Sequence, residues 1–312
     1  MLWVFLFFRM DLVSVITVNY NQPEATVALL HSLKKVSYPN LEVILVDNGS
    51  TENNEATFQD IFPNFTFIRT KVNLGFAGGN NLGIKAAKGE YIFLLNNDTE
   101  VTENTVSQLV DVLKNNIQIG LLSPLILYYD KPDTVQYAGY TPLNYLTARN
   151  QQLGQYEENV GQYDQKTYPT GFCHGAAVIC RKSDLNKAGL MDENYFLYYE
   201  ELDWCEKFKR IGKQIYFTGN TYILHKESVS VGKESPLKTY FLTRNRMLFI
   251  RKNTSLLNTI GFSVYYLLVA CPKMVLKYLL NRRSDLALQV IKAVKWNLFH
   301  SKNSKNLGYK LK

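Results

Sequence analysis

Cysteine is scarce in this chain, and its few cysteines are far apart. They are Cys173, Cys180, Cys205 and Cys271, and no two of them form a CxxC pair. This spacing argues against a disulfide-dense secreted domain and gives no zinc-site signature, so we interpret them as ordinary core thiols of a reducing cytosol. The 312 residues are enough to bury a sizeable core, either as one large α/β domain with an appendage or as two domains.

The glycine motifs that hold phosphates after a first β-strand are also missing. A GxGxxG dinucleotide fingerprint would fall between the first predicted strand and its helix, but residues 19–25 read NYNQPEA. The sequence contains no GxxxxGK[ST] loop either. The first turn therefore does not suit a dinucleotide pyrophosphate or a P-loop nucleotide. It also lacks the glycines and basic residues that a nucleotidyltransferase would normally carry there.

The N-terminus does not resemble a signal peptide. Residues 1–9, MLWVFLFFR, are apolar but too short to cross a bilayer. They lack the basic region and the small-residue cleavage site of a secretory signal. Two interpretations stay open: Met10 is the true start of the protein, or residues 1–9 form a small patch that dips into a membrane.

Acidic residues are nearly absent from the last part of the chain. From Arg251 onward there are twelve Lys or Arg residues and a single acidic residue, Asp285, whereas the first 250 residues hold 23 basic and 26 acidic residues. Such an asymmetry indicates an anionic partner surface. The same region is rich in aliphatic and aromatic residues, which favours a membrane over nucleic acid, so we expect no nucleic-acid partner.

Apolar, β-branched runs alternate with helical patterns along the chain. The predicted strands are residues 12–18, 41–46, 65–68, 91–95, 119–128, 213–217 and 221–224. Helices are predicted at 24–35 and 102–116, the second with Thr102 as its N-cap, and residues 129–170 are predicted as a long irregular loop. Strand–helix alternation implies right-handed crossovers, and hence an α/β fold with a mostly parallel central sheet.

Polar residues follow several of these strands at the point where each ends. They occupy residues 17–20, residues 47–50 and Asn96-Asn97-Asp98, and a loop rich in Gly and Asn at residues 73–83 precedes the last of these strands. In open α/β sheets, ligands bind beyond the carboxyl ends of the strands. The polar stops therefore predict one site on a single rim, suited to a charged nucleotide with a metal. For Asp47 taken alone, an ordinary turn or helix cap is an equal alternative.

A second polar cluster lies further along the chain. Glu200, Glu201 and Asp203 follow the aromatic residues of 195–199 and would begin a helix, whose N-terminus favours carboxylates. A carboxylate held beside aromatic walls suits a general base for a hydroxyl, although helix-start acids without a catalytic role are an equal alternative. His225 follows a strand end and is expected to face the same site. The Tyr- and Gln-rich residues 129–170 suit sugar contacts or form a variable insertion.

The chain resembles the inverting GT-A glycosyltransferases of family 2 in an ordered set of segments: VSVITVNYN, VDNGS, NLGFAGGNNLG, FLLNND, GAAVICR, LMDENYFLYYEELDWC and His225. It is most similar to the rhamnosyltransferase-like branch that makes bacterial surface polysaccharides. The resemblance implies a GT-A domain over residues 11–250, divided into a nucleotide-sugar-binding half, 11–101, and an acceptor-binding half, 102–250. Residues 1–10 are then an apolar extension, and 251–312 a basic amphipathic helical arm.

The resemblance also implies roles for individual residues. Glu201 stands where the family has its catalytic base, although the pair here is Glu200-Glu201 instead of Glu-Asp. Asp98 and His225 stand where the family holds Mg²⁺ or Mn²⁺ on the diphosphate, although Asn96 replaces the first aspartate of that motif. The residues expected to bind substrate, with Asp47 reading the base, are Thr17, Asn19, Tyr20, Asp47, Asn48, Gly49, Asn73, Gly78, Asn80, Asn96, Asn97, Glu200 and Asp203.

The implied reaction moves a sugar from a nucleotide-diphospho-sugar to a hydroxyl of a polyprenyl-linked or polysaccharide acceptor. dTDP-rhamnose is the expected donor, and other dTDP- or UDP-sugars stay open. Glu201 takes the hydroxyl proton, the metal site stabilises the leaving diphosphate, and in-line displacement inverts the anomeric centre. Two alternatives remain: a catalytically silent scaffold that binds sugars or membranes, and a nucleotidyltransferase.

The basic arm predicts where the protein works. Residues 256–280 are apolar and long enough to span a membrane, but Pro272, Lys273 and Lys277 interrupt them, which favours an amphipathic helix in the membrane plane. We therefore expect a peripheral protein on the cytoplasmic face of the inner or plasma membrane. A helical hairpin packed on the domain and a homodimer interface are the alternatives.

Overall fold

The computed structural model describes residues 10–226 and 234–311, so the predicted membrane-dipping patch at residues 1–9 lies outside the described residues. The strands are β1 Val13–Asn19, β2 Leu41–Asp47, β3 Phe65–Arg69, β4 Tyr91–Leu95, β5 Thr99–Val101, β6 Ile119–Tyr128, β7 Lys131–Tyr137, β8 Thr167–Pro169, β9 Ala177–Arg181 and β10 Gln214–His225. The helices are α1 Pro23–Leu33, α2 Glu55–Ile61, α3 Gly75–Ala86, α4 Thr105–Asn115, α5 Lys182–Ala188, α6 Glu200–Arg210, α7 Pro236–Asn253, α8 Leu256–Tyr265, α9 Cys271–Leu280 and α10 Ser284–Phe299.

The strands form one mixed sheet in the order β3-β2-β1-β4-β9-β6-β10-β5, with β7 beside β6 and β8 beside β10. β3, β2, β1 and β4 run parallel, as predicted. β9 is antiparallel to both β4 and β6, and β5, β7 and β8 are antiparallel to their neighbours. The parallel expectation therefore holds from β3 to β4 and for β6 with β10, which run parallel to each other, while the antiparallel strands β5, β7, β8 and β9 make the whole sheet mixed. Short links such as Tyr129-Asp130, between β6 and β7, can join only antiparallel strands.

Three predicted elements differ from the structure. Residues 129–170 contain β7 and β8 instead of one irregular loop, and the two strands predicted at 213–217 and 221–224 are the single strand β10. A shift of register between Thr218 and Tyr222 accommodates the residues between the two predicted strands within one continuous strand. Helix α4 has Asn104 as its N-cap. Thr102 precedes it in the turn, where its N–H donates to the Thr105 hydroxyl at 3.0 Å.

Side chains of β1 alternate between two hydrophobic clusters, one on each face of the sheet. Ile16 belongs to the cluster that includes α3, α6 and α7. Val13 and Val15 belong to the cluster that includes α1 and α4. Because both faces are buried, a slip of one residue would expose the core, so the register is fixed. That register sets Asn19 beside Asp47 at the carboxyl edge of the sheet.

The C-terminal helices form an arm against α7. α8, a π-helical turn at Tyr266–Ala270 and α9 make one continuous helix over Leu256–Leu280, here called the arm helix. Within the described ranges it is the one helix long and apolar enough to cross a membrane, with a mean hydropathy of 1.5. α7 crosses the predicted domain boundary at residue 250, so the division into domains stays a prediction.

Candidate functional site

A cavity of about 520 Å³ lies at the carboxyl ends of β1, β2 and β4. The structure brings together at this cavity the predicted site residues Tyr20, Asn48, Asn73, Asn80, Asn96, Asn97 and Asp98. They come from three separate strand ends and from α3, because parallel strands end at the same edge of a sheet. The volume is of the size that holds a small-molecule ligand.

A chain of hydrogen bonds ties the three strand ends together behind the cavity lining. Asn19 Nδ2 lies 3.4 Å from Asp47 Oδ1, and Asn19 Oδ1 accepts from the Thr26 hydroxyl at 3.0 Å. Asn97 Nδ2 donates to the same hydroxyl at 3.1 Å. Arg69 Nε lies 3.1 Å from Asp47 Oδ2 and balances its buried charge. The rim is therefore held in place without a ligand.

The turn after β2 is held by two asparagines. Asn48 Nδ2 donates to Asn73 Oδ1 at 3.1 Å, and Asn48 Oδ1 accepts from the Leu74 N–H at 3.0 Å. Gly49 has φ +81, and a Cβ there would lie 2.7 Å from the Asn73 nitrogen. Only glycine fits this crossing of two backbones. Gly49 thus positions Asn73 and does not itself line the cavity.

Asp98 and His225 meet at the cavity edge, although they are far apart in sequence. β5 follows Asp98 and pairs with the end of β10, so that His225 stands opposite Thr99. His225 Nε2 lies 3.3 Å from Asp98 Oδ1. Its Nδ1 lies 2.8 Å from Gln136 Oε1, which orients the ring. A carboxylate and an imidazole in contact form a donor set that suits Mn²⁺.

Glu200 and Glu201 begin α6 beside the cavity, and each has one oxygen that finds no hydrogen-bond partner among the described residues. Glu200 is buried and Glu201 is half-buried. Burial raises the pKa of Glu201 to about 7. Burial and the neighbouring Glu201 charge raise the pKa of Glu200 well above its usual range. The pair is therefore expected to carry a single charge near neutral pH.

Phe76 and Glu201 both lie close to Gly175. Phe76 lines the cavity, and a Cβ at Gly175 would lie 3.8 Å from Phe76 Cζ and 3.9 Å from Glu201 Cγ. Burial, together with the Glu201 charge, raises the pKa of Tyr140, so its phenol stays protonated. Glu201 thus lies close to a residue of the cavity wall, next to the small residue Gly175 and the aromatic residue Phe76.

The loop that delivers Glu200 and Glu201 is held in an unusual backbone conformation. Phe196, Tyr198 and Tyr199 all have positive φ, which is rare for residues with a side chain. Asn245, fully buried on α7, donates through Nδ2 to the carbonyls of residues 195, 197 and 198, at 2.8–2.9 Å. This side chain offsets the cost of the loop and fixes where α6 begins.

The remaining predicted site residues lie behind or beside the lining. Thr17 and Asp203 are buried, and Asp203 Oδ1 accepts from Tyr195 and Asn253. Neither side chain lines the cavity, so their contact with substrate stays a prediction, and the Thr17 hydroxyl has no hydrogen-bond partner among the described residues. Gly78 packs against Leu74. Asn19, Asp47 and Glu200 are also buried, so any substrate contact they make requires the lining to open.

Three contributors to the site were missed from the sequence. Gln136 lies in β7, where a loop was predicted, and Asn245 lies mid-helix next to a fully buried arginine. Tyr309, Lys310 and Leu311 line the cavity from the far end of the chain. For Asn245, the available signal was an amide of low helix propensity in the middle of a helical segment. The other contributors are set by long-range packing, which no local sequence pattern indicates.

The chain is similar in sequence to known glycosyltransferases. Residues 14–189 match the profile of a family described as glycosyl transferase family 2. An N-acetylglucosaminyl-diphospho-decaprenol L-rhamnosyltransferase of Mycobacterium tuberculosis is 23% identical over 244 residues, which cover 72% of this chain and 79% of the relative. The low-salt glycan biosynthesis hexosyltransferase Agl10 of Haloferax volcanii is 26% identical over 251 residues, covering 77% and 75%.

A solved structure is similar over most of both chains. It is the mannosyltransferase PcManGT from Pyrobaculum calidifontis in complex with GDP-Man and Mn²⁺, with a TM-score of 0.57 at 14% identity, covering 93% of this chain and 87% of that chain. This likeness confirms the predicted fold class. The profile match includes Asp98 but ends before Glu201 and His225, so the placement of these two residues rests on the geometry described above.

Proposed function

This chain belongs to glycosyl transferase family 2 and has the GT-A fold, and from this premise we propose that it transfers a sugar from a nucleotide-diphospho-sugar to an acceptor hydroxyl with inversion. One arrangement carries the proposal. Asp98 meets His225 at the edge of a nucleotide-sized cavity, and the carboxylate of Glu201, near the cavity residue Phe76, has an oxygen without a hydrogen-bond partner among the described residues. In-line displacement requires a base near the attacking hydroxyl on one face of the anomeric carbon and the leaving diphosphate on the other face.

Rhamnose and a polyprenyl-linked acceptor are the proposed substrates. The mycobacterial relative is named as a rhamnosyltransferase acting on N-acetylglucosaminyl-diphospho-decaprenol. The archaeal relative is named as a hexosyltransferase of glycan biosynthesis. These names support a hexose, with rhamnose first, as the transferred sugar and a lipid-linked glycan as acceptor; the proposed donor is a dTDP- or UDP-linked sugar, with dTDP-rhamnose first.

Asp98 and His225 are proposed to hold Mg²⁺ or Mn²⁺ with the diphosphate. One buried carboxylate oxygen faces one imidazole nitrogen, so the chain offers two ligands here, and the described residues form no cluster of three or more such ligands. Diphosphate oxygens and water would complete the shell. When bound, the cation supplies charge stabilisation to the leaving diphosphate. PcManGT, whose solved complex contains GDP-Man and Mn²⁺, supports the same chemistry.

The residues of the chain divide the remaining work between donor and acceptor. Tyr20, Asn48 and Asn73 offer a phenol and two amides to the nucleotide, and the network through Asn19 and Asp47 keeps that wall rigid. On the acceptor side, the carboxylate of Glu201 accepts the proton of the attacking hydroxyl at its free oxygen. Aromatic residues at this wall exclude water that would otherwise hydrolyse the donor.

Donor binding tests the proposal directly. Calorimetry should show one of dTDP-rhamnose, UDP-glucose, UDP-galactose, UDP-N-acetylglucosamine or GDP-mannose binding in the presence of Mn²⁺, and binding more weakly after chelation. Tyr222→Phe, a change at an exposed residue outside the cavity lining, is the matched control and should leave affinity unchanged. The absence of binding by every donor, with and without metal, would contradict the proposed function.

The arm helix is proposed to lie on an anionic membrane. It exposes a series of large apolar side chains, Leu256, Leu257, Ile260, Val264, Leu268, Leu276 and Leu280, at 52–80% of their full area. Exposed apolar area on this scale marks an interaction surface. The excess of basic residues after Arg251 gives that surface the charge of a partner for anionic lipid. A polyprenyl-linked acceptor would then lie in the same plane as the protein, on the cytoplasmic face.

Replacing two exposed leucines of the arm helix should release the protein from vesicles. Leu257 and Leu268 are 80% and 72% exposed, so Leu257→Glu with Leu268→Glu removes apolar contact without disturbing the core. Flotation with vesicles rich in phosphatidylglycerol should recover the wild type and lose the double variant. Ile117→Glu, at a 65% exposed residue of the GT-A domain, should float normally. Equal recovery of all three would contradict membrane docking. Retention of the wild type after alkaline extraction would show a spanning helix instead.

A further inference from the structure

The cavity has a wall that comes from the far C-terminal part of the chain. Residues 306–311, here called the tail segment, pass over the site so that Tyr309, Lys310 and Leu311 line the cavity together with Asn97 and Asp98. The other parts of the cavity come from strand ends and loops within residues 18–98, from Phe196 and Leu197, and from the start of α7. The tail segment therefore contacts the same space in which the nucleotide-sugar is proposed to bind.

Specific contacts hold the tail segment in this position. Tyr240 Oη donates to the Leu307 carbonyl at 2.9 Å, and Trp296 Nε1 donates to the Asn306 carbonyl at 2.8 Å. The Tyr309 ring packs 5.1 Å from the Tyr240 ring. Tyr309 and Leu311 also pack against the buried cluster that contains Phe196 and Phe241. An unattached chain end would not make two buried-donor hydrogen bonds and an aromatic contact together.

Gly308 is required for this path. It has φ +67, and a Cβ at this position would overlap both the Tyr240 hydroxyl and the Trp296 ring. Any side chain would therefore meet steric conflict and backbone strain at the same position. Its N–H donates to Asn306 Oδ1 at 2.8 Å, which closes the turn. Gly308 thus lets the segment turn from Trp296 toward the cavity.

The tail segment also brings a positive charge to the cavity. Among the described lining residues, Lys310 is the one basic side chain and Asp98 the one acidic side chain. Arg69, the last residue of β3, is already paired with Asp47. A nucleoside diphosphate brings negative charge to this space, and a lysine ammonium is a common partner for phosphate oxygens. The other described lining residues are uncharged, so binding of the diphosphate charge is left to Lys310 and to a cation at the Asp98–His225 site.

We propose that the tail segment is a structural wall of the donor site and that Lys310 binds the diphosphate of the nucleotide-sugar. This inference rests on the proposed function, since it names a further ligand for the same donor. The contrary interpretation is that the segment occupies the donor space and must leave before a nucleotide enters. The two interpretations predict opposite effects of the tail segment on nucleotide affinity. A structural wall strengthens nucleotide binding, whereas a plug, a segment that occupies the donor space, weakens it.

Lys310→Gln in the full chain tests the proposal. Its affinity for UDP, dTDP or GDP with Mn²⁺ should fall roughly tenfold, since a hydrogen bond to a charged phosphate is lost. Affinity for the matching monophosphate should fall much less, because the β-phosphate is missing. Lys310→Arg should restore most of the loss. Lys305→Gln removes the same charge from an exposed lysine outside the cavity lining and should bind like the wild type.

Gly308→Val adds a test of the wall itself, and it leaves every cavity-lining side chain unchanged. Displacing the segment should weaken diphosphate binding at least as much as Lys310→Gln does. Tighter binding in either variant would overturn the proposal and make the segment a plug. Unchanged binding in Lys310→Gln would overturn the role of Lys310 while the proposed function stands. A wild type that binds no nucleoside diphosphate would overturn the proposed function and this inference with it.

Discussion

Glu201→Gln should lose sugar transfer by roughly 10²- to 10⁴-fold, the range for removing a general base, while its affinity for the donor nucleotide stays at the wild-type value. Gln keeps the shape of the side chain but cannot accept the hydroxyl proton. Glu201 is not among the residues that line the cavity, so donor binding should not change. Initial rates with a lipid-linked acceptor, together with calorimetry of UDP or dTDP, measure both quantities.

Glu200→Gln is the matched control, because it makes the same change at the neighbouring residue. Glu200 is more deeply buried than Glu201, and burial raises its pKa well above the usual range, so it is expected to be protonated already. The amide should therefore replace it with a smaller loss of rate. A larger loss of transfer rate in Glu200→Gln than in Glu201→Gln would contradict the assignment and make Glu200 the base. A wild type that binds donor but transfers no sugar to any acceptor would favour the silent-scaffold alternative.

The pH profile should report the same base. Burial raises the pKa of Glu201 to about 7, and the base works only when it is ionised. kcat/KM should therefore rise with pH, reach half its maximum at about pH 7 and level off above that pH, because the base becomes ionised. The apparent value belongs to the Glu200–Glu201 pair. Glu201→Gln should lose this step, and a flat wild-type profile through neutral pH would contradict the assignment.

The rim of the sheet was predictable from sequence because its determinants are local. β1, β2 and β4 are apolar runs that stop in polar residues, and parallel neighbours end on one edge. This reasoning correctly grouped Asn48, Asn73 and Asp98. It did not predict the mixed half of the sheet, because a run such as β9 reads the same whether its neighbours are parallel or antiparallel.

Other parts of the site depend on contacts that no local pattern encodes. Asp98 reaches His225 only because β5 pairs with the end of β10, and the sequence connected the two residues through family resemblance alone. Gln136 orients His225 from a strand that was predicted as loop. The tail segment reaches the cavity through Tyr240 and Trp296. In each case packing brings together residues that lie in different elements of the chain, 10 to 89 residues apart in these hydrogen bonds.

Asp98→Asn should remove the metal dependence of donor binding. Asn96 already replaces the first aspartate of the family pattern, so Asp98 is the one carboxylate among the described residues that line the cavity. Its loss leaves His225 without an anionic partner for a divalent cation. Turnover should fall by at least about 10²-fold, since a bound metal contributes several kcal/mol to stabilising the leaving diphosphate. UDP affinity should then be the same in Mn²⁺ and in chelator.

Asn96→Asp provides the opposite change at the neighbouring position. Asn96 lines the cavity and is only half-buried, so a carboxylate can be accommodated there without a buried unpaired charge. It adds a second anionic ligand, and we expect stronger Mn²⁺ dependence of UDP binding than in the wild type. In Asp98→Asn with Asn96→Asp, part of the metal dependence should return, because charge at this rim holds the cation. If Asp98→Asn keeps full Mn²⁺ dependence, the cation is held elsewhere, and Asp98 serves mainly to orient His225.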